Sequence, residues 1–232
     1  MHYFFVDESY RDGLAQRTIS VGCWAVEQAR PNQGEELLRQ AFRPPVEDGI
    51  CSVLKRLDAL ALVASATLDK SLWRTGEIDG TDDIPAMARA DNIWSHCVTF
   101  TAARLILQHL QSGRPLDNVD IYFDPKSLKR QHEEAWEKTL RALVVSQAKR
   151  FAAQLGSNRL KKLRIRHIEP VRKPTEGEAH NKFQIGTWIA DKLCAHASQM
   201  SEVAAGRIKT CDMSDTIRRT VQQWDGRSFH DD

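Results

Sequence analysis

Apolar residues along the chain follow two periodicities, which predict strands first and then strands that alternate with helices. The opening stretches HYFFVDES and RTISVGCWAVEQ are rich in aromatic and β-branched residues, as strands are, and the RDG between them predicts a hairpin turn. Three further strands are predicted at residues 60–68, in VDIYFD at 119–124 and in LRIRHIEPV at 163–171. The chain is therefore expected to begin with an antiparallel strand pair.

Helical spacing of apolar residues is found between these strands. A short helix is predicted in EELLRQAF, which two prolines end, and a long one begins at Pro85 and runs to Leu110. Further helices are predicted at 128–155, 182–200 and 214–224. This order predicts a mixed α/β fold with crossover helices. We expect a single domain over residues 1–232, because no repeat or low-complexity linker interrupts the pattern.

The composition of the chain is that of an ordinary globular protein, and its net charge does not indicate a partner. The 232 residues are 41% apolar and 28% charged with a net charge of +2, which is ordinary for a globular chain. Five scattered cysteines without CxxC spacing argue against a zinc site or a disulfide framework. The sequence has no GxxxxGK[ST] phosphate loop, signal-like start or bilayer-length apolar run. We therefore expect a cytoplasmic protein without a membrane partner.

Three acids occupy positions where a strand or a packed helix would place them near apolar residues. Asp7 and Asp124 end predicted strands, and Asp191 borders the apolar stripe of a predicted helix. If the three carboxylates converge, Mg²⁺ or Mn²⁺ would relieve their repulsion and could support phosphodiester cleavage. Each acid also has an alternative role: Asp7 as a cap for the turn at Glu8, Asp124 as a turn residue before Pro125, and Asp191 as an ion-pair partner.

Positive charge is concentrated between residues 149 and 173, where Glu169 is the single acid. Such a patch can contact the phosphates of a nucleic acid, although a solvated helix end and strand face would have the same composition. The predicted substrate-binding residues are Lys161, Lys162, Arg164 and Arg166 from this patch, together with Lys192.

Two motifs of the chain, YFFVDES and WIADKLCAHA, resemble a family of uncharacterised domains in the ribonuclease H-like superfamily. That family begins with a strand ending in Asp-Glu-Ser-Gly, and its last helix carries a Gln-Leu-Ala-Asp-like motif. DIYFD matches the family's third acidic position, and the resemblance covers roughly residues 3–200. Tyr10 stands in place of the family's Gly and Trp188 in place of its Gln, which puts a substrate-facing role at position 188 in doubt.

The resemblance implies a ribonuclease H-like fold, with a mixed central sheet, an antiparallel N-terminal hairpin and flanking helices. It implies that Asp7, Asp124 and Asp191 bind Mg²⁺ or Mn²⁺ and that Glu8 is a further catalytic acid. The function it implies is a metal-dependent nuclease, with RNA or an RNA·DNA hybrid slightly favoured as substrate. The alternative is a non-catalytic nucleic-acid- or protein-binding module on the same scaffold. The sequence leaves the oligomeric state open, with a homo-oligomer among the alternatives.

Overall fold

Six strands form one sheet in the computed structural model, which describes residues 1–27, 45–73, 86–114, 116–124, 133–154, 163–172, 181–200 and 206–222. The strands are β1 (His2–Asp12), β2 (Gln16–Glu27), β3 (Leu60–Asp69), β4 (Asn118–Phe123), β5 (Arg164–Pro170) and β6 (Ile208–Asp212). The helices are α1 (Val46–Arg56), α2 (Lys70–Trp73), α3 (Ala86–Gln111), α4 (Glu133–Gln154), α5 (Lys182–Met200) and α6 (Ser214–Gln222). Within these ranges, no helix is both long and apolar enough to cross a bilayer.

The order of strands across the sheet is β5-β4-β1-β2-β3-β6. Strand β2 is antiparallel to β1 and to β3, whereas β4 is parallel to β1, β5 to β4 and β6 to β3. The predicted α/β class and the antiparallel N-terminal hairpin are therefore confirmed.

The chain leaves the C-terminal ends of β1 and β4 in opposite directions across the sheet. Strand β1 leads to β2 on one side, and β4 leads through α4 to β5 on the other. Pairing between β1 and β4 ends at Val6 and Phe123, although β1 continues beside β2 to Asp12. Ligands of open α/β sheets bind where neighbouring strands diverge in this way. We call the space beyond this last pair the β1–β4 crevice.

Alternating side chains divide the core between two faces of the sheet. On the α3 face, residues such as Phe4, Val6 and Ile121 pack with side chains of α3, α4 and α6. On the α5 face, residues such as Phe5 and Trp24 pack with side chains of α1 and α5. Each strand residue can therefore be assigned to one face by its neighbours in the core.

Two glycines allow α5 to lie unusually close to the sheet. A Cβ atom at Gly22 of β2 would stand 2.5 Å from the carbonyl oxygen of Ala190 in α5. A Cβ atom at Gly186 of α5 would stand 2.2 Å from the ring of Phe5. The Trp24 indole also donates a hydrogen bond of 2.8 Å to the Gly186 carbonyl. These contacts fix the height of α5 above β1 and β2.

Several predicted boundaries change in the structure. Strand β1 does not end at its acids but continues to Asp12, because β2 pairs with it along its whole length, and the turn lies at 13–15. The strand at 60–68 and the helices ending at Leu110, beginning at Lys182 and beginning at Ser214 are confirmed to within two residues where described. The predicted helix in EELLRQAF lies outside the described residues.

The sequence patterns did not predict α1, α2 or β6. Pro45 precedes α1 as its N-cap, and acids at Glu47 and Asp48 occupy the first turn. Prolines and acids at the start of a helix and cations at its end are the expected sequence signals of a helix. They were overlooked because the two prolines were interpreted as the end of a preceding helix. Strand β6 has five residues at the sheet edge, too few for a clear alternating pattern.

Candidate functional site: an acid pair at the end of β1 and β4

Asp7 and Asp124 both lie at the β1–β4 crevice. They follow Val6 and Phe123, the last residues that pair between the two parallel strands. Neighbouring strands are about 4.8 Å apart, so consecutive positions in this register remain close. Asp7 is two residues after Phe5 and Asp124 two after Tyr122, both of which lie in the α5-face core. Alternation therefore assigns both acids to the α5 face.

Both carboxylates are largely removed from solvent, with Asp7 3% and Asp124 8% exposed. The Oδ1 atom of Asp7 accepts a hydrogen bond of 2.7 Å from the backbone N–H of Glu8. This bond fixes the carboxylate relative to the backbone of β1, because donor and acceptor belong to adjacent residues. Burial makes an ionised carboxylate costly unless it has partners, so the groups around each of these acids decide its charge.

Asp191 lies on α5, above the same face of the sheet. It follows Ala190, whose carbonyl oxygen lies against Gly22, the residue paired with Asp7. Burial raises the pKa of the Cys194 thiol well above its usual value, and the charges of Asp7 and Asp191 raise it further. Asp191 Oδ2 is 3.0 Å from the Lys192 ammonium, and about one third of each side chain is exposed. The ion-pair role considered for Asp191 is thus observed.

Glu8 points to the other side of the sheet. Its Oε2 accepts a hydrogen bond of 2.9 Å from the indole N–H of Trp94 on α3, and the residue is 2% exposed. Burial raises the pKa of the Cys97 thiol on α3, and the charge of Glu8 raises it further. The structure therefore brings Asp7, Asp124 and Asp191 to one face of the sheet and separates Glu8 from them.

The residues at the crevice fit a divalent cation only in part. Carboxylate oxygens are the donors that Mg²⁺ and Mn²⁺ prefer. However, in the part of the chain that the structure describes, no group of three or more His, Cys, Asp or Glu side chains is arranged to hold a metal ion. Mg²⁺ is commonly held by one or two carboxylates with waters and substrate phosphates. Asp7 and Asp124 match that smaller requirement.

The predicted substrate-binding cations are not gathered around the acid pair. Arg164 pairs with Asn118 at the start of β4, six residues before Asp124, which corresponds to about 20 Å along the strand. Arg166 is also near that end, with its Nε 3.9 Å from Asp120 Oδ1. Lys161 and Lys162 lie outside the described residues. Among the described members of this set, Lys192 alone is next to one of the three predicted metal-binding acids, Asp191. Its ammonium also lies 5.7 Å from the Trp188 ring centroid.

One buried acid of the α5 face was not singled out from the sequence. Asp120 is 3% exposed, and its Oδ1 is buried without a hydrogen bond. The signal was available in VDIYFD, because a period of two places Asp120, Tyr122 and Asp124 on one face. Burial raises the pKa values of Tyr3 and Tyr122, and the charge of Asp120 raises both further.

No protein-family model matches this chain, and no curated protein is significantly similar to it. The resemblance to the Asp-Glu-Ser-Gly family therefore stays a prediction, and the geometry of the crevice carries the functional argument.

Proposed function

We propose that the protein is a metal-dependent nuclease in which Asp7 and Asp124 bind Mg²⁺ or Mn²⁺ at the β1–β4 crevice. The observation that carries the proposal is the position of the two acids. They follow the last pair of two adjacent parallel strands, on one face, where the chain diverges. Open α/β sheets bind their ligands at such points.

The same positions support a ribonuclease H-like scaffold as the finer fold assignment. The resemblance implies acids on the first strand, on a central strand and on a late helix. Asp7 in β1, Asp124 directly after β4 and Asp191 in α5 agree with that order and share the α5 face. This agreement supports the assignment through the arrangement of the chain, and the activity is argued from the site itself.

The chain's own residues would bind the ion and hold the scissile phosphate beside it. Asp7 would supply a carboxylate held by β1 and by the Glu8 amide, and Asp124 would supply a second one directly after β4. Asp191 would join them if its ion pair with Lys192 opened, and the released ammonium would then be placed to meet a phosphate. A bound Mg²⁺ or Mn²⁺ activates water and neutralises charge that develops on the phosphate.

Metal binding and cleavage test the proposal together. We expect the purified full chain to bind Mn²⁺ in titration calorimetry and to cut end-labelled RNA or an RNA·DNA hybrid with Mg²⁺ or Mn²⁺. Asp7→Asn and Asp124→Asn should each lower Mn²⁺ affinity and cleavage at least about a hundredfold, because each removes a ligand charge. Asp120→Asn is the matched control: it neutralises a buried acid on the same face of β4, and both activities should remain within about threefold.

Glu8→Gln tests whether the fourth predicted acid takes part. Because Glu8 faces Trp94 across the sheet, we expect cleavage to stay within about tenfold of the parent protein. A loss as large as that of Asp7→Asn would contradict the division between the two faces.

The non-catalytic binding module is the second candidate, and the Asp191–Lys192 ion pair favours it, because the pair gives the third acid a partner within the protein. It would be the better description if the protein bound nucleic acid equally well in chelator and cut neither substrate with either metal.

A further inference from the structure

One thiol connects α5 to the backbone of the residue pair that contains Asp7. The Sγ atom of Cys194 accepts a hydrogen bond of 2.9 Å from the N–H of Gly22. The same sulfur lies 3.1 Å from the carbonyl oxygen of Asp7 and 3.2 Å from that of Ala190, and its S–H can donate to either. Asp7 and Gly22 are partners in the β1–β2 ladder. A single side chain therefore contacts both members of this pair.

The Cys194 sulfur is in close contact with β2, where glycine at position 22 leaves space for it. A Cβ atom at Gly22 would stand 3.0 Å from the Cys194 sulfur and 3.2 Å from the Cβ of Leu193. Close packing of this kind fixes rotamers, because each atom is bounded on several sides. The thiol is thus held where it can donate and accept at once, which is within the capacity of a cysteine side chain.

The hydrogen bonds form a continuous path from α5 to the carboxylate of Asp7. The thiol contacts the Asp7 carbonyl, and the next amide along the chain, that of Glu8, donates to Asp7 Oδ1. The carbonyl of Asp7 and the amide of Glu8 belong to one planar peptide group. Fixing the carbonyl therefore also fixes the direction of the N–H that orients the carboxylate.

We propose that Cys194 is a positioning residue for Asp7, holding the Asp7–Glu8 peptide so that the carboxylate stays directed beside Asp124. The role for metal binding rests on the proposed function, whereas the effect on the peptide does not. Partners that orient a metal ligand through a hydrogen bond commonly change metal affinity about 10–100-fold when they are removed.

Cys23 provides a matched control in the same region of the sheet. It follows Gly22 in β2, pairs with Val6 and is fully buried like its neighbours, but it packs in the α3-face core. Cys23→Ala and Cys194→Ala remove the same sulfur from opposite faces. Because Cys23 is the more buried of the two, a role limited to packing predicts the larger loss of stability in Cys23→Ala and no difference at Asp7.

The test measures amide hydrogen exchange by NMR, Mn²⁺ affinity and thermal unfolding in the full-length variants. In Cys194→Ala we expect the amides of Glu8 and Gly22 to exchange at least about tenfold faster than in Cys23→Ala. We also expect Mn²⁺ affinity to fall about tenfold in Cys194→Ala alone. Cys194→Ser keeps a donor and an acceptor, so it should recover part of both losses; it also replaces Cys194→Ala if that variant does not fold.

The results separate this inference from the proposed function. Equal exchange at Glu8 and Gly22 in the Cys194 and Cys23 variants would overturn the positioning role, whatever the metal result. If Glu8 and Gly22 exchange faster in Cys194→Ala than in Cys23→Ala but the parent protein binds no Mn²⁺, the hold on the peptide is upheld and the nuclease proposal is overturned instead.

Discussion

The two faces of the sheet treat neighbouring acids of β1 in opposite ways. On the α3 face, Glu8 is enclosed by the core and accepts a hydrogen bond from Trp94. On the α5 face, Asp7 lies at the crevice beside Asp124, with Asp191 above it on α5. Consecutive residues of one strand therefore serve the core on one side and the candidate site on the other. An acidic dipeptide at a strand position need not be one functional unit.

The polar groups of the α3 side are adapted to burial in another way. His96 and His109 of α3 are 7% and 1% exposed, and burial lowers the pKa of each to about 4. The Nδ1 atom of His109 is 3.1 Å from the Leu105 carbonyl oxygen, so the neutral ring donates there. These histidines are buried uncharged, whereas the carboxylates of the crevice have positions suited to a cation.

The largest expected difference between the two faces is a loss of folding stability on acidification, which arises from the buried histidines of the α3 face. The unfolded chain binds protons at its histidines below about pH 6.5, whereas folded His96 and His109 resist protonation until about pH 4. The free energy of unfolding should therefore fall as pH drops through this window, by on the order of 3 kcal/mol for each histidine. Urea titrations at pH 7, 5.5 and 4.5 measure it.

His109→Gln checks the origin of that pH dependence. The variant should lose stability at pH 7 but show a shallower decline towards pH 4.5 than the parent protein. His167→Gln, on the exposed edge strand β5, controls for the loss of a histidine as such. An unchanged slope in His109→Gln would show that the decline has another source.

A smaller effect is expected from a methyl group between α5 and the sheet. Gly22→Ala places a Cβ 2.5 Å from a backbone oxygen of α5, so the helix itself must move. We expect a loss of about 3 kcal/mol in the free energy of unfolding, together with weaker Mn²⁺ binding. Gly206→Ala, at a positive φ of 86° with nothing within 4 Å, should cost about 1 kcal/mol and leave Mn²⁺ binding unchanged.

The smallest expected change in stability concerns the ion pair that occupies Asp191. Lys192→Met should alter the free energy of unfolding by less than about 1 kcal/mol, because both partners are partly solvated. Mn²⁺ affinity should rise roughly threefold to tenfold as the carboxylate is released, while affinity for RNA falls. Lys182→Met is the control. It removes a charge from the same helix, where the Lys182 ammonium lies over the rings of Tyr3 and Phe183, and it should leave Mn²⁺ affinity unchanged.

The sequence predicted those parts of the fold in which local pattern and packing agree. The long helix α3 contains neither proline nor glycine over 26 residues, and β1, β2 and β4 combine apolar runs with β-branched or aromatic residues. Helix α1 was hidden because a proline pair can either end a helix or precede one, and only the residues that follow decide between them. Strand β6 owes its state to pairing with β3, which no local pattern encodes.

The candidate site could be predicted only as a set of residue types. Alternation separates Asp7 from Glu8 once the strand is known to continue, but the expected turn at Glu8 obscured this. The adjacency of Asp7 and Asp124 depends on strand order, a non-local property. The contact of Cys194 with Asp7 depends on the close approach of α5 at Gly22, and it could not be inferred from a cysteine and a glycine that are distant in the chain.

The single reversed strand has a practical consequence for protein engineering. Because only β2 opposes the others, β1, β3, β4, β5 and β6 all finish at the edge that holds the crevice. The segment that follows β6 is nevertheless tied to the sheet, because the Met213 N–H donates to the Ser65 carbonyl and the Thr67 N–H donates to the Ser214 hydroxyl. Sequence libraries at this edge should therefore keep Met213 and Ser214 unchanged if the other segments are to be varied without a large loss of melting temperature.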